Sequence, residues 1–275
     1  MEKLHVVTVA TNSEFYFPYL EKSCLSNGVK LEVLGFGEKW EGFNWKYVKM
    51  IEYLKNIDPN DIVCFVDGYD VICTRNLNEI VEEYQKIKKN TNSKIIVAYG
   101  NNDNETLMSF YFGKCKNNLL NSGTYIGTAE DLLKILKEVY NLNPNNNADD
   151  QVLLTQYCHK YPQNVYVDID NKLFLSLAKP LEELNDYVII KDNNLYFNNQ
   201  RPFFIHAPGG GYLDKLIINL GYNYDTSNPI NNKLFNKIVN KIPYYTNRMM
   251  LDNFVIVVLI FLIFYNYFNW KIEKK

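Results

Sequence analysis

The chain has 275 residues, 47% of them hydrophobic, and a formal net charge of -2. That length suits one large domain with an appendage. A near-neutral chain without a long Lys/Arg block excludes a surface built for the nucleic-acid backbone. The five cysteines, Cys24, Cys64, Cys73, Cys115 and Cys158, are scattered and include no CxxC pair to hold zinc or form a redox dithiol. They read as free, mostly buried thiols, which suits a reducing compartment.

A β-branched run at residues 5–11 follows the N-terminus without a charged-then-apolar leader and predicts the first buried strand. Residues 30–34 predict a second strand, Gly35 and Gly37 a turn, residues 44–54 a helix and residues 61–67 a third strand. A charged, helically spaced segment at 79–88 precedes another buried strand at 94–99. Thr128 and Asp131 form a capping box that opens an amphipathic helix over 132–140, followed by a polar loop at 141–147. Further strands are expected at 165–168, 187–191 and 203–206, and Gly209 to Gly211 form a flexible loop. Strands alternating with helices predict an α/β fold around a mainly parallel sheet.

The last segment differs in kind. Residues 254–264 are unbroken Val, Ile, Leu and Phe, and Tyr265, Tyr267, Phe268 and Trp270 follow, as suits a membrane interface. The run is shorter than the ~20 residues of a comfortable span, and a buried core helix is its alternative. The expected organisation is a catalytic domain over 1–224, a polar linker over 225–248, a transmembrane helix over 249–270 and a polar tail over 271–275. This makes a single-pass membrane protein with a C-terminal anchor and its catalytic domain on the cytosolic side.

The chemistry-bearing motif is Val66-Asp67-Gly68-Tyr69-Asp70, two carboxylates leaving the carboxyl end of a hydrophobic strand, where open α/β sheets place their ligands. Closely spaced aspartates can hold a divalent cation that neutralises a diphosphate. Alone, Asp67 and Asp70 could equally bond local backbone amides in a turn.

Further motifs accompany it in a fixed order. Val7-Thr8-Val9-Ala10-Thr11 comes first, then Gly35-Phe36-Gly37-Glu38-Lys39-Trp40-Glu41-Gly42 and Trp45-Lys46. After the aspartates come Leu120-Asn121-Ser122-Gly123-Thr124-Tyr125-Ile126-Gly127, Asp149-Asp150-Gln151, Ile205-His206 with a Gly-rich loop, and Asn219-Leu220-Gly221. Over residues 4–222 the chain resembles the glycosyltransferase domain of procollagen lysyl hydroxylases and related collagen-modifying glycosyltransferases.

That resemblance implies a GT-A-type, Rossmann-like fold and a UDP-sugar donor. It implies that Asp67, Asp70 and His206 bind Mn²⁺, a metal that accepts oxygen and imidazole together. It places Tyr69 on the uracil, Thr8 in the nucleoside pocket, Trp40 in a loop over the donor, and Lys46 at a donor phosphate or ribose. Gly209 and Lys215 would contact the diphosphate, although the family's His-Gly-Asn-Gly-Pro-x-Lys is here His206-Ala-Pro-Gly-Gly-Gly-Tyr-Leu-Asp-Lys215, with the lysine three residues farther on. Asn121, Asp149 and Asp150 would face the acceptor and the transferring sugar, with helix capping as the alternative for the aspartates.

The function implied is Mn²⁺-dependent transfer of glucose or galactose from UDP-glucose or UDP-galactose to hydroxylysine or galactosyl-hydroxylysine of collagen-like protein. Two other readings remain: a UDP-sugar transferase acting on another glycan, on a viral or cell surface for example, and a catalytically silent, membrane-anchored homologue.

Overall fold

The computed structural model describes residues 2–100, 109, 111–177, 188–191, 194–209, 211–227, 229–230, 232–233 and 262. Met1–Asn231 form one compact unit, running a little past the expected boundary at 224. Its strands are β1 (Leu4–Val9), β2 (Leu31–Leu34), β3 (Ile62–Val66), β4 (Val71–Cys73), β5 (Ile95–Tyr99), β6 (Leu120–Thr128), β7 (Val165–Asp168), β8 (Phe174–Ser176), β9 (Val188–Lys191), β10 (Asn194–Phe197) and β11 (Phe204–His206). Its α-helices are α1 (Phe17–Ser26), α2 (Trp45–Leu54), α3 (Ile80–Thr91), α4 (Ala129–Leu142), α5 (Asp150–Lys160) and α6 (Asp214–Asn219).

Six strands form the main sheet in the order β2-β1-β3-β6-β5-β7. The pairs β1/β2, β1/β3 and β5/β7 are parallel, whereas β6 runs antiparallel to both its neighbours. Alternation along each strand sends side chains to opposite faces. Val7 and Val9 of β1 with Val63 and Phe65 of β3 join Trp45, Met50, Ile135, Leu136 and Leu153 on one face. Val6 of β1 with Ile62, Cys64 and Val66 of β3 join Phe17, Leu20, Ile80, Tyr84 and Phe203 on the other. Both faces are covered, which explains the continuous apolar run of β3 and the unbroken burial of β1 from His5 onward. The predicted capping of α4 is present, with the Thr128 hydroxyl accepting the Asp131 N–H at 3.2 Å.

The sequence does not announce α1, β4, β8, β10, α6 or the antiparallel β6. Helix α1 carries Pro18 in its first turn and has no acidic residue there. Strand β6 hides behind Ser122, Gly123 and Thr124, residues that read as a turn. They occupy an irregularity in the ladder instead: Val97 faces Tyr125 while Ala98 faces Asn121, so three residues of β6 bulge out of register. Asn121 therefore sits in a strand, not in the expected small-residue turn.

The expectation of five free thiols is overturned. Cys115 and Cys158 form a disulfide with Cα atoms 5.6 Å apart, joining the turn before β6 to the end of α5, while Cys24, Cys64 and Cys73 are free and buried. A separation of 43 residues hid the pair, because only the packing of α5 on β6 brings the two ends together. Among the described residues no helix is long and apolar enough to cross a membrane, and the expected span at 249–270 lies outside them apart from Leu262.

Candidate active site

Asp67 follows the last residue of β3, and Asp70 precedes the first residue of β4. Pairing then decides what they meet. Strand β4 runs antiparallel to β11 with Val71 opposite His206, and the Ala207 N–H donates to the Asp70 carbonyl at 2.8 Å. A histidine more than a hundred residues away in sequence thus lies beside the aspartates. One ligand atom each from Asp67, Asp70 and His206 falls within 4.8 Å of the others.

The imidazole is 2% exposed, and its orientation is set from behind. Asn121 Oδ1 accepts the Gly123 N–H at 2.9 Å, which fixes the amide, and lies 3.0 Å from His206 Nδ1. An oxygen there requires the proton on Nδ1. Nε2 is aimed forward, 3.2 Å from Asp70 Oδ1 and 3.8 Å from Asp67 Oδ2, without a well-aligned hydrogen bond, and carries a lone pair there when the ring is neutral. A buried, unpartnered imidazole nitrogen facing two carboxylates fits a hard divalent cation with mixed oxygen and nitrogen ligands. Burial works against a charged imidazole, but Asp70 and then Asp67 outweigh it and raise its pKa; a bound cation would reverse that balance. Gly123 makes room: a Cβ there would stand 2.3 Å from His206 Cε1 and 2.6 Å from Asp67 Oδ2.

Asp149 and Asp150 divide their work. Asp149 caps α5, its carboxylate accepting the Val152 N–H at 3.0 Å, and burial raises its pKa. Asp150, 5% exposed, turns inward. Its Oδ2 accepts from Ser122 Oγ at 3.0 Å and lies 2.8 Å from Lys46 Nζ, which lies 2.8 Å from Asp67 Oδ1 as well. Burial alone would lower the pKa of the Lys46 ammonium; Asp150 and then Asp67 outweigh it and raise it well above the lysine value. The Tyr47 hydroxyl donates to the Asp150 carbonyl at 3.0 Å.

A cavity of about 240 Å³ opens on this cluster, lined by Lys46, Asp67, Asp70, Asn121, Asp149, Asp150, His206 and Gly209 of the expected residues. Phe43, Phe112, Ser122, Gly123, Gln151 and Pro208 complete the lining. None of these six has a functional signal of its own in the sequence: Ser122, Gly123, Gln151 and Pro208 lie inside the family motifs without a role, and an isolated Phe gives no sign. Four expected donor contacts do not line the cavity. The Tyr69 hydroxyl accepts the Thr11 N–H at 2.9 Å and its ring meets Phe15 edge-on. Thr8 is fully buried, its hydroxyl without a partner, beside Gly68. Trp40, 38% exposed, packs edge-on against Phe43 and Trp45. Lys215 lies on the exposed side of α6.

Residues 1–233 match the profile of the PLOD GT domain family. The chain is 28% identical over 247 residues to a Drosophila melanogaster procollagen-lysine,2-oxoglutarate 5-dioxygenase, covering 81% of this chain and 32% of that protein. It is 26% identical over 246 residues to the Caenorhabditis elegans multifunctional procollagen lysine hydroxylase and glycosyltransferase, covering 76% of this chain and 31% of that one. It is 23% identical over 210 residues to protein R699 of Acanthamoeba polyphaga mimivirus, covering 72% of this chain and 43% of that protein. The chain thus spans about a third of the length of the procollagen-lysine relatives. Among solved structures, mouse xyloside xylosyltransferase 1 aligns with 76% of this chain and 99% of its own at 11% identity and a TM-score of 0.46, below what establishes a shared fold. The family match covers the whole of the compact unit that carries the cavity, and on that ground the chain belongs to the PLOD GT domain family and is a glycosyltransferase.

Proposed function

We propose that this glycosyltransferase moves glucose or galactose from a UDP-sugar, with Mn²⁺, to hydroxylysine or galactosyl-hydroxylysine of a collagen-like protein. The observation that carries the donor half is the Asp67, Asp70 and His206 cluster at a cavity that also holds a buried, anchored carboxylate, Asp150. The acceptor half rests on relatives whose names specify procollagen lysine.

In this reading Asp67, Asp70 and His206 hold the divalent cation, whose chemistry is to neutralise the diphosphate as it leaves. Asn121 keeps the His206 proton on Nδ1 and Nε2 available. Gly209, at φ 69°, takes a left-handed backbone that favours glycine in the loop after β11, beside the cavity. Asp150, fixed by Lys46 and Ser122, presents a preorganised negative charge to the sugar carbon as positive charge develops on it. Phe43 and Phe112 wall the cavity and displace water from the reacting groups.

The test is a donor-hydrolysis and transfer assay on the full chain with UDP-glucose and UDP-galactose, with and without Mn²⁺, using hydroxylysine and galactosyl-hydroxylysine collagen peptides. Turnover should require the metal, and Asp70→Ala should lower it by at least ~100-fold. Wild-type turnover under EDTA would sink the metal assignment. Good donor hydrolysis with no transfer to either peptide would move the acceptor to another glycan.

A further inference from the structure

Lys46 occupies an unfavourable place for a lysine. It is the second residue of α2, where the helix N-terminus repels a cation, and it is 5% exposed. A desolvated ammonium at that point persists only with excellent partners. It has them in Asp67 Oδ1 and Asp150 Oδ2, each 2.8 Å from the same Nζ. With Oδ1 engaged, Asp67 turns its other oxygen, Oδ2, toward His206 Nε2 at 3.8 Å. With Oδ2 engaged by both Lys46 and Ser122, Asp150 has a fixed orientation.

We propose that Lys46 is a positioning residue that ties the metal carboxylate Asp67 to the transfer carboxylate Asp150 and sets the distance between them, and that it is not a contact for the donor phosphate or ribose. This rests on the donor reading above. One ammonium bound to both groups makes the spacing between metal site and transferring sugar a property of one side chain. Breaking either contact would leave the metal site populated and Asp150 misplaced.

The test compares Lys46→Arg, Lys46→Met, Asp150→Asn and the Lys46→Met/Asp150→Asn double variant of the full chain. Mn²⁺ and UDP affinities are read by calorimetry, and kcat and KM by hydrolysis of UDP-glucose and UDP-galactose. Lys46→Met should lower kcat by about 100-fold while KM and the UDP affinity stay within about 3-fold, the pattern of a group that matters to the transition state. Lys46→Arg, which can still bridge two carboxylates, should recover to within about 10-fold of wild type. The double variant should be no slower than the slower single, because residues acting as one unit are not additive.

If Lys46→Met does not fold for want of a counter-charge, Asp150→Asn and the double variant carry the comparison, and adding Lys46→Met to Asp150→Asn should change kcat by less than about 3-fold. A UDP affinity at least 10-fold weaker with kcat unchanged, or a further 10-fold loss in the double variant, would overturn the proposal and make Lys46 a donor contact. A wild-type chain that binds no UDP in the presence of Mn²⁺ would remove the donor reading and this proposal with it, whereas a wild type that binds and turns over donor isolates a failure to Lys46 alone.

Discussion

Single residues at the cavity do work that their chemical type does not announce. Asp67 and Asp70 were legible in sequence, because paired carboxylates leaving a buried strand form a local pattern. Asn121 is the contrary case: the motif marked its position, but its partner His206 lies 85 residues away, so a role in orienting the imidazole follows only from the pairing of β4 with β11 and of β3 with β6. That role has a measurable consequence. Asn121→Ala removes the acceptor that holds the proton on Nδ1, and the ring is then free to turn or change tautomer. Mn²⁺ affinity, measured by calorimetry or by electron paramagnetic resonance of the free ion, should fall about 10- to 100-fold, the usual effect of losing a group that orients a metal-bound histidine. An unchanged affinity with impaired transfer would return Asn121 to the sugar side of the cavity.

At the scale of elements, β1, β3, β5 and β7 lie close to where the sequence places them, since runs rich in β-branched and aliphatic residues leave a strong local trace. Strand β6 does not, because its bulge gives up regular pairing to admit Gly123 between Asp67 and His206. The turn from β7 to β8 was invisible for a different reason. Asp168, fully buried, accepts N–H groups from Lys172 at 3.1 Å, Leu173 at 2.7 Å and Phe174 at 3.0 Å, and a lone aspartate after a strand gives no sign of that.

Burial outweighs those three bonds and pushes the Asp168 pKa up to about 6, from an ordinary 3.8. The sign follows from linkage: a carboxyl raised in the folded state contributes stability that is fully present below the unfolded pKa and is lost as pH rises through the folded one. Asp168→Asn cannot titrate and should be less stable at every pH, since one amide oxygen replaces two carboxylate oxygens. Its stability deficit should shrink between pH 4 and pH 7 by an amount on the order of 3 kcal/mol at most. Denaturant melts of both proteins across that range test this, and a constant deficit would mean that the backbone N–H groups hold Asp168 ionised throughout.

For the whole molecule, the two faces of the main sheet carry separate hydrophobic clusters, and the cavity opens where β3, β6 and β11 end or bulge. Helix α5 supplies one wall through Asp149 and Asp150 at its start, and its far end is tied by the Cys115 to Cys158 bond to the segment that carries Phe112. His159 reinforces the tie through a hydrogen bond from its ring to the Lys114 carbonyl. The bond therefore braces two walls of one cavity. Closing a loop across a 43-residue separation stabilises a fold by about 4 kcal/mol in the chain-entropy account. Thiol labelling under denaturing, non-reducing conditions should modify Cys24, Cys64 and Cys73 and leave Cys115 and Cys158 blocked until a reductant is added. Cys115→Ser/Cys158→Ser should then melt at lower denaturant with a steeper slope, because the unlinked denatured chain exposes more surface, and, since α5 also packs on β6 and α4, should retain Mn²⁺ binding through Asp67, Asp70 and His206 while losing transfer through a displaced Asp150. Labelling of all five cysteines without reductant would remove the brace, and equal loss of metal binding and transfer would make it a general support of the fold.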